Sequence, residues 1–136
     1  MRQAVQTLVA STAHCSGFTV NVCLSYGGRD EILQACAALA REAGELAHAA
    51  ASHGRPCPPA APVSEERFAS CLLTAPCGDP DLLIRTSGEH RLSNFLLWQL
   101  AYTELFFVDK YWPEMTRQDL RDVLGQFAER HRRYGS

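Results

Sequence analysis

Apolar and polar positions alternate from Phe18 to Tyr26: Phe18, Val20, Val22, Leu24 and Tyr26 share one face, and Thr19, Asn21, Cys23 and Ser25 the other. Period-two alternation with β-branched residues predicts a strand. It runs into Gly27-Gly28, a sharp turn, after which Asp30 is placed to cap a helix. Ile32, Cys36, Leu39, Ala43 and Leu46 then recur at helical spacing and predict an amphipathic helix. From His48 to Pro62 the pattern dissolves into Ala, Ser, Gly and Pro, which reads as a loop or insertion without chemistry. Ser64 opens a short helix to about Leu73, with Phe68, Cys71 and Leu72 inward.

After Pro76-Cys-Gly78, the run Asp81-Leu-Leu-Ile-Arg85 is short and does not alternate, the pattern of a strand buried on both faces. Ser93 begins a helix whose Phe95, Leu96, Leu97, Trp98, Leu100 and Ala101 are apolar all round, as a core helix would be. Glu104-Leu-Phe-Phe-Val108 reads as a third strand. Thr116 to Asp119 resembles a capping box ahead of Leu120, Leu124, Phe127 and His131. Strands alternating with helices predict an α/β fold with a parallel sheet. Three strands are few for such a sheet, so the chain reads as part of a larger domain.

Composition narrows the classes. The 136 residues are 46% hydrophobic and 21% charged, ordinary for a globular domain and unlike a disordered tail or a coiled-coil rod. The formal net charge of −2 supplies no global field for nucleic acid, so any anion site must be local. No segment approaches the roughly 18 apolar residues of a membrane span, and the first residues lack a secretory layout. The six cysteines form no C-x-x-C pair, so they read as reduced thiols of a cytosolic protein rather than a zinc ribbon or a disulfide framework. Cys23 and Cys36 are expected to be small buried hydrophobes.

The chemistry is densest in Arg85-Thr-Ser-Gly-Glu-His-Arg-Leu-Ser-Asn94, between a predicted strand and a predicted helix. That is the carboxyl end of a sheet strand, where open α/β sheets bind ligands. Arg85 and Arg91 offer planar forks suited to phosphate oxygens, and Ser93 opens a helix with free amides. The plain alternative pairs Arg85 with Glu89 and leaves Ser93 as a cap. An arginine at the end of an apolar strand needs an anion, and a second arginine six residues on favours a diphosphate site. Glu104, among Leu105, Phe106 and Phe107, needs a cation, and the residues alone leave a structural salt bridge and an Mg²⁺ ligand equally open.

Ser25-Tyr-Gly-Gly-Arg-Asp-Glu-Ile32, the run from Asp79 through Gln99, and Ala101-Tyr-Thr-Glu-Leu-Phe-Phe107 closely resemble the cis-prenyltransferase family, which includes undecaprenyl and dehydrodolichyl diphosphate synthases. The resemblance covers nearly the whole chain except 48–62. It implies an enzyme condensing isopentenyl diphosphate onto an allylic, farnesyl-type diphosphate with Z geometry and Mg²⁺. By motif, Arg85, Arg91 and Ser93 correspond to the catalytic and isopentenyl diphosphate-binding residues. Glu104 corresponds to the carboxylate that helps hold Mg²⁺, with His90 beside it. Arg133 and Gly135 match an Arg-x-Gly element that completes a neighbouring subunit's site in a homodimer or heterodimer. Tyr26-Gly-Gly-Arg29 reads as structural. The resemblance further implies a cytoplasmic protein, peripheral to a membrane in its contacts and without a nucleic-acid partner.

The family's first-strand Asp-Gly-Asn-Gly-Arg motif is missing from the sequence. Residues 1–136 are therefore expected to form one partial domain, the C-terminal half of the family fold, without the allylic-substrate half. Two other classes compete: a non-catalytic or truncated partner subunit of a heteromeric enzyme, and a generic anion-binding α/β module. A trans-type prenyl synthase is excluded, because no Asp-Asp-x-x-Asp occurs.

Overall fold

The computed structural model describes residues 2–57, 59 and 61–130. In chain order these form α1 (Arg2–Thr12), α2 (Gly28–Ser52), α3 (Glu65–Ala69), β1 (Leu82–Arg85), β2 (Glu104–Phe107), a 3₁₀ turn (Trp112–Glu114) and α4 (Arg117–Glu129). β1 and β2 are parallel, with Leu82 opposite Glu104 and Arg85 opposite Phe107. The α/β class with a parallel sheet is the one the alternation of elements predicted. No helix among the described residues is long and apolar enough to cross a membrane.

Three of the expected helices form, with different bounds. α2 starts at Gly28 rather than at Asp30, with Gly27 extended before it, and runs on through Ser52. Residues 48–52 are thus helical and not loop, because Ala49, Ala50 and Ala51 favour the helix. Ser64 caps α3, accepting from the Arg67 amide at 3.2 Å. Thr116 and Asp119 make the reciprocal capping box of α4. The expected α4 stripe is not the buried one: Val123 is buried, whereas Leu120 and Leu124 are exposed. His131 lies outside the described residues. α1 was not expected, and none of its residues is buried.

Two expected elements do not form. Phe18–Tyr26 joins no ladder among the described residues, and Phe18 is 85% exposed. A strand exists only through hydrogen bonds to a neighbour, and the only described sheet is β1–β2. The stretch from Ser93 is a series of turns, with Ser93, Asn94 and Leu96 in the left-handed region (φ 48°, 65° and 45°). Its physical cause is Asn94. The amides of Gly28 and Arg29, left open at the start of α2, donate to the Asn94 carbonyl (2.7 Å) and to its Oδ1 (2.8 Å). A continuing helix would have directed that carbonyl four residues onward instead.

The core sits where α2 meets α3. Ala35, Phe68 and Leu72 are buried, packed by Ile32, Leu39, Cys71 and Trp98, with the Phe68 and Trp98 rings 4.4 Å apart. Cys36 is exposed rather than buried, because it faces a cavity of about 610 Å³ between α2 and the 57–63 segment. Cys23 is exposed on the stretch before α2, and no disulfide joins any of the six cysteines. β1 is half-buried along its length rather than buried on both faces, since only β2 flanks it.

Candidate functional site

Arg85 ends β1, opposite Phe107. Beyond it the chain is laced to the segment leaving β2: the Val108 amide donates to the Arg85 carbonyl at 2.8 Å, Ser87 N–H to Lys110 O at 2.8 Å, and Gly88 N–H to Val108 O at 3.0 Å. Ser87 and Gly88 are both left-handed (φ 78° and 67°). A side chain at Gly88 would carry that strain and also stand 3.2 Å from an Asp109 carboxylate oxygen. This reversal returns Glu89, His90 and Arg91 over the strand end.

A cavity of about 330 Å³ opens there, lined by Arg85, Thr86, Ser87, Arg91, Leu92 and Phe95. Arg85 Nη1 donates to Ser93 Oγ at 3.1 Å, and its buried Nε has no partner among the described residues. Arg91 is exposed and ion-paired with Glu89. The plain alternative of an Arg85–Glu89 pair is therefore not the arrangement seen; Glu89 serves Arg91. The structure brings Arg85, Arg91 and Ser93 together, but with Ser93 in a turn rather than at a helix start.

Glu104 stands elsewhere. It lies opposite Leu82, three residues before the Phe107 that faces Arg85, about 10 Å along a strand at the usual rise. Its carboxylate accepts from Arg130 Nη1 at 2.6 Å, and Arg130 also covers the Phe106 ring at 3.9 Å. The His90 ring packs on Phe107 at the other end of the strand, 4.7 Å between centroids. Among the described residues no cluster of three His, Cys, Asp or Glu could hold a metal. Of the two readings open for Glu104, the ion pair is the one observed. Arg133 and Gly135 lie outside the described residues.

The buried polar pair Glu31 and Gln99 was not among the expected site residues. Glu31 is 2% exposed and accepts from Tyr26 Oη (2.5 Å), the Leu73 amide (2.8 Å) and Gln99 Nε2 (3.0 Å). Gln99 Nε2 also donates to Thr74 Oγ1 at 2.7 Å, while Gln99 Oε1 is buried without a partner. Burial, and then the bond to the Glu31 carboxylate, raise the Tyr26 hydroxyl pKa well above the ordinary phenol range. In sequence Glu31 sits in the charged run Arg29-Asp-Glu31 and looks solvated. Only its spacing of four from Ala35 places it on the inward face.

A cavity of about 330 Å³ at the carboxyl end of a parallel strand, lined by two arginines, is a candidate anion site of the α/β type. Comparison with known proteins gives the family. The family model described as "Putative undecaprenyl diphosphate synthase" matches residues 1–135, and the chain belongs to that family. An isoprenyl transferase of Listeria monocytogenes is 44% identical over 133 residues, covering 98% of this chain and 49% of the relative. A Pseudomonas putida ditrans,polycis-undecaprenyl-diphosphate synthase, (2E,6E)-farnesyl-diphosphate specific, is 42% identical over 135 residues, covering 99% of this chain and 50% of the relative. The chain thus spans about half the length of the curated relatives it matches.

Solved structures agree. Lavandulyl diphosphate synthase from Lavandula x intermedia, in complex with dimethylallyl diphosphate, superposes with a TM-score of 0.81 at 34% identity, over 99% of this chain and 54% of that one. A probable undecaprenyl diphosphate synthase from Campylobacter jejuni gives 0.74 at 30% identity, over 99% and 56%.

Proposed function

We propose that this chain supplies the isopentenyl diphosphate half of a cis-prenyltransferase site. The observation that carries the reading is the convergence of Arg85 and Arg91 on one cavity, with Arg85 Nε buried and unpartnered. A buried guanidinium N–H without an acceptor is costly, and a diphosphate oxygen supplies one. Ser93 holds the Arg85 fork through Nη1, and the left-handed Ser87-Gly88 reversal carries Arg91 to the same opening.

The reaction is an electrophilic alkylation. The C1–O bond of an allylic diphosphate breaks and diphosphate leaves. The isopentenyl double bond attacks C1, and a proton is lost to give the Z alkene. In this scheme Arg85, Arg91 and Ser93 hold the nucleophile by its diphosphate, which fixes the reacting carbon in place. When bound, Mg²⁺ would offset the negative charge that develops on the departing diphosphate. The allylic substrate is bound by parts of the fold outside this chain, and Arg133 and Gly135 complete the site of a neighbouring subunit. The apolar polyprenyl product puts the working enzyme in peripheral contact with a membrane from the cytoplasm.

Pyrophosphate or isopentenyl diphosphate is expected to raise the melting temperature of the chain. Arg91→Ala weakens that protection by at least about 1.5 kcal/mol, the scale of a charge-assisted hydrogen bond. Arg85→Ala acts in the same direction. Protection unchanged in both variants would remove the diphosphate reading.

A further inference from the structure

The two arginines of the cavity have different partners. Arg85 is tied to neutral Ser93 and keeps an unpartnered Nε, whereas Arg91 carries a carboxylate, that of Glu89. Both ends of that ion pair reach solvent, with the Arg91 side chain 64% exposed and that of Glu89 37%. The pair follows directly on the Ser87-Gly88 reversal, which is laced to Val108 and Lys110. The backbone immediately before Glu89 is thus held by hydrogen bonds.

We propose that Glu89 is a counter-ion latch on Arg91, which an incoming diphosphate must displace, making Glu89 a positioning residue that sets affinity at the site. The inference rests on the diphosphate reading of Arg85 and Arg91. In the free protein Glu89 neutralises Arg91 and keeps two guanidinium groups from facing one small cavity with uncompensated charge. When a diphosphate arrives, its oxygens take over the Arg91 donors and Glu89 turns to solvent. When the anion leaves, Glu89 reclaims the fork. An exposed pair of this kind is weak enough to be exchanged. A fully buried one would be too costly to open.

The test is pyrophosphate binding to the full chain by titration calorimetry, comparing wild type, Glu89→Gln, Glu45→Gln, Arg91→Ala and the double variant Glu89→Gln/Arg91→Ala. Glu45 is an exposed acid on α2, so its substitution makes the same change of net charge elsewhere. Glu89→Gln is expected to tighten binding about threefold to fivefold, the scale of an exposed ion pair. Glu45→Gln should leave binding as in wild type, and in the Arg91→Ala background the Glu89→Gln gain should fall below about twofold. A gain is a result that damage to the fold would not produce. Glu89→Gln binding as in wild type or more weakly, or with the same gain in both backgrounds, would overturn the latch and leave the diphosphate reading standing. A wild-type chain that does not bind pyrophosphate would overturn the diphosphate reading and the latch with it.

Discussion

Phe18–Tyr26 and Glu104–Val108 are both apolar stretches that read as strands, yet only the second is one. In β2 each residue has a partner in β1, and Phe106 is buried at 7% exposure beneath the Arg130 guanidinium. In the first stretch Phe18, Val20, Val22 and Leu24 are 60–85% exposed, whereas Tyr26 at its end packs edge-on against Phe95. The better alternation belongs to the stretch that does not pair. Alternation reports which side of a strand would be buried, whereas the strand itself depends on a second backbone at hydrogen-bonding distance. The same division separates two polar groups. Glu31 is held by three donors from three parts of the chain, and Glu104 by one exposed arginine.

The widest gap between the two stretches should appear on truncating their aromatic residues. Phe106→Ala is expected to cost about 3 kcal/mol or more, the usual range for a buried phenylalanine. Phe18→Ala should stay within about 0.5 kcal/mol, as at an exposed position. Urea unfolding of the two variants checks this, and equal losses would mean that Phe18–Tyr26 is packed in solution.

Among the polar groups, Glu31→Ala strands the Tyr26 hydroxyl, the Leu73 amide and the Gln99 amide, and is expected to cost about 2–3 kcal/mol by the same measurement. Glu104→Gln removes only a surface pair and should cost about 0.5–1 kcal/mol. It should leave pyrophosphate binding as in wild type, whereas a loss of binding would return Glu104 to the site.

The smallest effect is at the start of α4. Lys110, and then the Thr116 hydroxyl and amide, hold the Asp119 carboxyl down at about 2, against an ordinary 3.8. A depressed carboxylate pKa stabilises the fold above the unfolded-state value, and that contribution is lost as pH falls from about 4 towards 2. Asp119→Asn should flatten the pH dependence of the melting temperature in that window, which a thermal series would show.

Sequence alone determined what is local. Ser64 and Thr116 start helices because each hydroxyl caps an amide three residues on. Arg85, Arg91 and Ser93 could be grouped around one strand end because a short loop confines them. Tertiary structure decided the rest. Asn94 gives its carbonyl and its amide oxygen to the start of α2, so the apolar stretch after it turns instead of coiling. Glu31 is buried because donors 5, 42 and 68 residues away converge on it. Glu104 answers Arg130, 26 residues on. Helix caps and strand-end clusters arise from neighbours along the chain, whereas sheet pairing and the choice of a polar partner depend on which distant groups arrive.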